Sequence, residues 1–561
     1  MGTAVGDLLH KQWERGVDGC ARGLHAVRHR GLGQMQFWLI ALIIGILAGA
    51  AAVGFRLCIE WLQETVYGEN DRALATHVMD LHWAWIVIIP VIGGLVVGII
   101  LQLFTPDGRA RSVAQVIEGA ALREGRVDTR AGVAAAFASF ITLSTGGSTG
   151  REGPVVHIGA MISSWVSDLI HADGVTGRDL MGCAAAAAVS ASFNAPIAGA
   201  LFALEVILRH FAVHAFAPIV IASVAGAVIS RLTVGDVTEY ILPVHTLAFY
   251  VELPAFMILG LLCGLVAAAM MWAIFAAEDL GDVIQGSLRM PNWARPALAG
   301  LALGIIAVFF PHIIGVGYET VSNALTEGLT LRDAVVFAVI KVVAVAITMA
   351  GRMGGGVFSP SLMLGALTGL AFGIVATSIF PAVSGTAGLY AIAGMGAVAA
   401  AVLGAPISTA LIVFEMTGDW QAGLAVMVAV SLSSALSVKL VKRSFFLTQI
   451  ERKGVHLADG PQVYLMATLS AGRLMRTRKT LKAKQIRKAE AQIGEGLYLH
   501  PYDTLETALP LFDRTDATSV PVVVESKDPD GPEELLGILT HIDALKAYNR
   551  ALAETSREEH S

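Results

Sequence analysis

Charge is scarce in this sequence. Only 15% of its 561 residues are Asp, Glu, Lys or Arg, against about a quarter in an ordinary soluble domain. What charge there is gathers in the first 34 residues, in short loops and after residue 439. Stretches such as 37–51, 86–104 and 335–350 carry little or none. Runs of this length, with a mean hydropathy of +0.66, have the character of bilayer spans. A broad basic face is also missing, and the formal net charge is −6, so no nucleic-acid partner is expected. Cysteine is nearly absent. Cys20, Cys58, Cys183 and Cys263 stand far apart without metal-ligand spacing and read as small apolar fillers. No metal and no cofactor are expected. Nor does the chain open with an early apolar run of the secretory kind, because Lys11, Arg15, Arg22, Arg28 and Arg30 come first. Those cations place the N-terminus in the cytoplasm, and Lys439, Lys442 and Arg443 place the other end of the apolar region on the same side.

Glycine is plentiful, with 59 residues. In a soluble helix each costs about 1 kcal/mol against alanine, whereas in a membrane bundle small residues let helices approach closely. Roughly fourteen apolar helical stretches are present, many too short to cross a hydrocarbon core of about 30 Å. Gly, Pro or polar residues break them at 145–154, 192–196, 352–360 and 404–406. Irregular backbone at membrane depth survives only where protein or a water-filled cavity covers it, and broken helices in corresponding halves point to a transport site.

The halves do correspond. Residues 142–160 lie on 348–366 without a gap: Thr142, Gly150, Pro154, Gly159 and Ala160 match Thr348, Gly356, Pro360, Gly365 and Ala366. Ala195, Pro196, Ile197 and Glu205 match Ala405, Pro406, Ile407 and Glu415 at nearly the same spacing. An internal duplication follows, with halves at about 84–235 and 294–441. The chain divides into a cytosolic N-terminal segment (1–34), a transmembrane domain (35–455) and a cytosolic linker with a small α/β domain (456–561). In that last part 500–512, 519–524 and 535–548 read as helix, strand, then strand and helix.

The run Gly146-Gly147-Ser148-Thr149-Gly150-Arg151-Glu152-Gly153-Pro154 joins two apolar helices. Its glycines let backbone amides approach a ligand, and Pro154 suits the first turn of a helix. A helix start with exposed amides is an anion site. The repeat-related run is Gly354-Gly355-Gly356-Val357-Phe358-Ser359-Pro360. Two such helix starts meeting in mid-membrane hold an anion with partial charges, without the desolvation cost of a buried lysine. Glu152 falls where those amides converge. Its carboxylate would take an anion position and its protonation would release it, which makes a gate. Glu205 and Glu415 are expected to bond loop amides, and Lys341, inside an apolar run, to snorkel or pair.

Gly147–Pro154, reading GSTGREGP, and Gly355–Pro360, reading GGVFSP, resemble the GREGP and GxFxP motifs of the CLC chloride channel and transporter family. The resemblance runs through most of residues 36–455. It implies an all-α inverted-repeat membrane bundle, chloride as the ligand, a homodimer with one pore per subunit, and, in a bacterium, the cell (inner) membrane. Glu152 matches the gating glutamate. The anion-binding positions are Gly150, Arg151, Gly153, Gly356, Val357 and Phe358, with backbone amides of the last three lining the path. Ser112 matches the central anion serine, although the glycines and proline that normally surround it are missing. Phe446 stands where the family carries a tyrosine, and has no hydroxyl to offer. Val206 occupies the position of the family's internal proton glutamate and cannot carry a proton. These departures lean the expectation towards passive, channel-like chloride conduction. The alternatives are proton-coupled chloride antiport and another anion such as fluoride or nitrate.

The C-terminal residues His500–Leu505, Val520–Val524 and Gly537–Asp543 resemble a CBS motif, with a first repeat cut down to about Leu469–Thr480. Thr540 and Asp543 resemble its ribose contacts, so adenine nucleotide is a possible ligand beside a packing or dimerisation role. Two rivals stand outside the family. Gly146–Gly150 fits the GxSxG pattern with His157 following, yet a helix rather than a strand precedes it. A cation carrier needs converging carboxylates or carbonyls, and the broken helices offer mainly amides and one acid.

Overall fold

The computed structural model describes residues 33–211, 213–235, 251–418, 420–455, 457, 466, 469–494, 496–524 and 534–559. Residues 1–32, with the basic N-terminal segment and Cys20, lie outside the described residues. The chain divides into two compact units, one of 1–209 with 215–455 and one of 456–561 with 210–214.

The first unit is helical throughout. Its helices are α1 (Gln34–Tyr67), α2 (Leu74–Val78), α3 (Trp83–Phe104), α4 (Val113–Leu122), α5 (Thr129–Ser144), α6 (Glu152–Ile170), α7 (Gly174–Phe193) and α8 (Pro196–Phe202). A π-helical turn, Ala203–Leu208, continues α8 and leads to α9 (Val213–Val234). Then come α10 (Leu253–Ser287), α11 (Ala294–Phe309), α12 (Tyr318–Leu325), α13 (Leu331–Ala350), α14 (Phe358–Ile379), α15 (Ala387–Leu403), α16 (Pro406–Thr417), α17 (Trp420–Val441) and α18 (Phe445–Glu451). Among the described residues, seven helices are long and apolar enough to cross a membrane by length and composition. Others, such as α5, α11 and α16, are apolar but shorter.

Outward-facing Leu39, Ile43, Leu103, Phe137 and Phe309 are all more than half exposed, as an apolar solvent permits. Inside, small residues set the spacing. A methyl group on Gly45 would meet the Ala222 backbone at 2.6 Å, and one on Gly94 the Pro296 carbonyl at 2.2 Å. The alanines 184–188 of α7 are wholly buried. This is the close helix approach that the glycine count implied.

The breaks fall where the sequence put them. Asn194 and Gly404 end α7 and α15 in left-handed conformation, and Pro196 and Pro406 open the next helices. Across this pair of breaks the two acids trade places. Glu205 accepts from the Ile407 and Ser408 amides at 3.0 and 2.7 Å, and Glu415 accepts from the Ile197 and Ala198 amides at 3.0 and 2.7 Å. Each acid caps the helix start of the opposite repeat. Lys341 does not snorkel. It is 1% exposed, and its Nζ donates to the carbonyls of Ile313 and Gly315.

The second unit holds a three-stranded antiparallel sheet in the order β1 (Arg476–Thr477), β3 (Glu534–Thr540), β2 (Ser519–Val524). Around it lie α19 (Ala471–Leu474), α20 (Ala483–Gly494), α21 (Leu505–Thr515) and α22 (His541–Glu559). Residues 500–504 form the turn before α21, so that helix begins later than its pattern suggested. Within 469–480, where a shortened first repeat was expected, Arg476 and Thr477 form β1, paired with Ile538 and Gly537.

Candidate anion site

The loops before α6 and α14 cross each other. Gly150 donates to the Gly356 carbonyl and Gly356 donates to the Gly150 carbonyl, both at 2.7 Å. Thr149 Oγ1 donates to the same Gly356 carbonyl at 2.8 Å, and the Ser148 amide donates to Thr348 Oγ1 at 3.2 Å. The crossing needs a bare backbone. Gly355 sits at φ +143°, and a Cβ there would lie 2.1 Å from Thr149 Oγ1. The Gly150 and Gly356 amides, expected to face an anion, are therefore spent on each other. The donors that remain are those of the first helical turns.

Glu152 occupies that place. It opens α6 and is 4% exposed. Its Oε1 accepts a hydrogen bond from Ser359 Oγ, and the main-chain N–H groups of Ser359 and Glu152 itself face the carboxylate. Ser359 stands in the first turn of α14, so the carboxylate lies at the positive end of the opposite repeat's helix. The sequence reading missed Ser359. The available signal was its place in the second glycine-rich run, one residue past the repeat match of Glu152.

Gly153, Val357, Phe358 and Phe446 line the same small cavity as Glu152, about 10 Å³ in volume. That is room for roughly one water molecule. Phe358 packs on Phe193 with ring centroids 4.8 Å apart. Arg151 is buried. One guanidinium nitrogen donates to the Ser192 carbonyl at 3.3 Å, and the group lies over the Tyr318 ring. These contacts hold the cation beside the site.

Ser112 precedes α4, and its amide donates to Gln115 Oε1 at 2.7 Å. With Gly355 it lines a second cavity of about 190 Å³, whose rim carries Arg109, Arg352, Arg452 and Lys453. This cavity belongs to the face at which α3 ends and α18 lies, called the inner face below. Of its two acids, Glu278 and Asp282, Asp282 pairs with Arg295, with Arg352 at 3.0 Å and with Arg109 at 3.4 Å. Ser112 and Glu152 thus belong to neighbouring cavities, linked by adjacent Ser112 and Val113, which line one each. Val206 is buried in the π-helical turn. It borders neither cavity.

Ser148 and His157 do not pair. The Ser148 hydroxyl is buried without a hydrogen-bond partner, and helix α5 precedes the loop. The serine-hydrolase arrangement is not formed. Among the described residues no group of His, Cys, Asp and Glu could hold a metal ion. In the second unit, the Asp543 amide donates to Thr540 Oγ1 at 3.1 Å, while its carboxylate pairs with Arg476 at 2.7 and 3.1 Å. A ribose at Asp543 would have to displace that arginine.

Residues 93–438 match the family model described as voltage gated chloride channel, and residues 495–550 match that of the CBS domain. A ClcB-like chloride channel protein of Ralstonia nicotianae is 30% identical over 394 residues, covering 70% of this chain and 91% of its own. The H(+)/Cl(−) exchange transporter ClcA of Cronobacter sakazakii is 30% identical over 400 residues, covering 68% of this chain and 82% of its own. Among solved structures, a eukaryotic CLC transporter superposes with a TM-score of 0.65 at 18% identity, covering 91% of this chain and 98% of that one.

Proposed function

Because this chain belongs to the voltage-gated chloride channel family, CLC, and is a multi-pass membrane protein of anion transport, we propose that it conducts chloride passively along a path gated by the Glu152 carboxylate. One observation carries the reading: the carboxylate lies against Ser359 at the start of α14, where the glycine loops of the two repeats cross. A negative group held by helix-start amides is chemically equivalent to the anion it excludes. Protonation weakens that hold, the side chain leaves, and chloride takes its place.

Gly153, Val357 and Phe358 supply the walls and amides of the path, Phe446 its narrow inner edge, and Ser112 a hydroxyl at the inner mouth. The cationic rim around Ser112 raises local anion concentration. Serine at that position favours chloride over fluoride in this reading. Val206 has no proton to give, which favours passive flux. The chain works as a homodimer with one path per subunit, both termini in the cytoplasm and, in a bacterium, the inner membrane around it. Thr540 and Asp543 serve domain packing first and an adenine nucleotide only if Arg476 yields.

A second reading, chloride–proton exchange, is favoured by the likeness to ClcA, named an H(+)/Cl(−) exchange transporter. Purified protein in liposomes under a chloride gradient separates them. Chloride movement without coupled protons fits the passive reading. Uphill proton movement driven by chloride replaces it with exchange. No chloride movement overturns both.

A further inference from the structure

We infer that His157 is the station through which protons from the inner face reach Glu152. The inference rests on the gate reading above and adds the route by which the gate is protonated from inside.

His157 is 2% exposed, and at most one of its ring nitrogens meets the protein, at the Ser112 main chain. The other is a buried polar group without a partner, which calls for a functional explanation. The ring lines a cavity of about 220 Å³ on the inner face, between α4, α6 and the segment after α18. That is ample room for water. Gly132 of α5 makes space for the ring, since a Cβ there would lie 2.8 Å from Nε2.

The charges around this cavity are largely spent on one another. Asp107 pairs with Arg111 at 2.8 Å, Glu118 with Arg123 at 2.7 Å, and Arg126 with Asp168 at 2.8 Å. Asp128 caps α5 through the Arg130 and Ala131 amides. Lys453 completes the lining.

His157 is five residues from Glu152 on the same helix, about 7.5 Å along the axis and about 140° around it, so a proton passing between them goes round α6 rather than along one face. The Ser112 main chain lies beside the ring, and the next residue, Val113, lines the Glu152 cavity. The water-sized space beside Glu152 reaches Val113 but not His157, so the inferred route needs a further water between the two cavities. The step balances: protonated His157 gives its proton through that water to the Glu152 carboxylate, leaving neutral imidazole and neutral carboxylic acid. Val206, at the position where a proton-carrying acid would otherwise stand, takes no part.

The test uses full-length protein in inverted and right-side-out membrane vesicles, so that each face is titrated alone while chloride efflux is followed. Wild type is expected to speed up several-fold when either face is acidified. H157Q and H157N are expected to lose the inner-face response and keep the outer-face one, which also shows that they fold. E152Q is expected to lose both. If E152Q keeps its pH response, the gate reading itself fails. If E152Q loses it while the His157 variants keep the inner-face response, the His157 route alone fails. If both His157 variants conduct nothing, even combined with E152Q, the ring is structural and the inference is overturned.

Discussion

Gly150 and Gly356, equivalent residues of the two repeats, hydrogen-bond each other twice, amide to carbonyl and carbonyl to amide, at 2.7 Å each way. An approximate two-fold axis passes between them. The pairing ties the two loops together beside Glu152, so a gate made by loop movement would have to break both bonds. A gate made by the Glu152 side chain breaks neither.

Neutralising that side chain should therefore open the path without disturbing the loops. E152Q and E152A are expected to raise chloride flux roughly tenfold, the equivalent of about 1.4 kcal/mol off the barrier, and to make it insensitive to pH. Flux assays across pH 4.5–8 check this. Wild-type rate and pH response in both variants would end the gate assignment.

The crosswise caps predict equal losses at two distant positions. Glu205 and Glu415 each accept two backbone amides at matching distances. Hydrogen bonds to a charged group contribute about 1.5–3 kcal/mol each, so E205A and E415A should each cost about 3 kcal/mol or more. Thermal melting of the detergent-solubilised protein should show similar drops for both. A loss confined to one would contradict the symmetric role.

Much of this arrangement was legible in the sequence because it rests on local chemistry. Pro196 and Pro406 announce helix starts, the two glycine-rich runs announce bare backbone, and the repeat places Glu205 opposite Glu415. Partners across the fold were less legible. That Gly150 and Gly356 satisfy each other rather than an anion depends on how two loops cross. That Ser359 holds Glu152 depends on the same crossing. Lys341 reads as a cation that snorkels or pairs, and its carbonyl partners, Ile313 and Gly315, go unseen because they lie in an irregular turn with no charge to mark it.

Gly355 offers a test of the crossing itself. A methyl group there would meet Thr149 Oγ1 at 2.1 Å, on a backbone at φ +143° that alanine resists. G355A is expected to cost about 3 kcal/mol or more through clash and strain together, seen as poor yield and early melting. G286A, near the end of α10 with nothing within 4 Å, should be neutral or gain up to about 1 kcal/mol. Equal behaviour of the two would show that the crossing is looser than the geometry states.

Asp71, in the connection between α1 and α2, predicts how stability follows pH. Burial pushes its carboxyl up to about 6, and the nearby Lys341 and Arg151 cations and the Gly317 and Val316 amides offset this only in part. In the unfolded chain the same group titrates at about 3.9. Between those values the folded protein keeps a proton that the unfolded chain has released. Stability from this group therefore falls as pH rises from about 4 to 6, by up to about 3 kcal/mol at 1.36 kcal/mol per unit, and is level above and below. D71N fills the same space without titrating. Melting temperatures of wild type relative to D71N should thus decline across that window and run parallel outside it. Parallel curves throughout would mean that Asp71 titrates alike in the folded and unfolded chain, with Lys341 and Arg151 offsetting its burial in full.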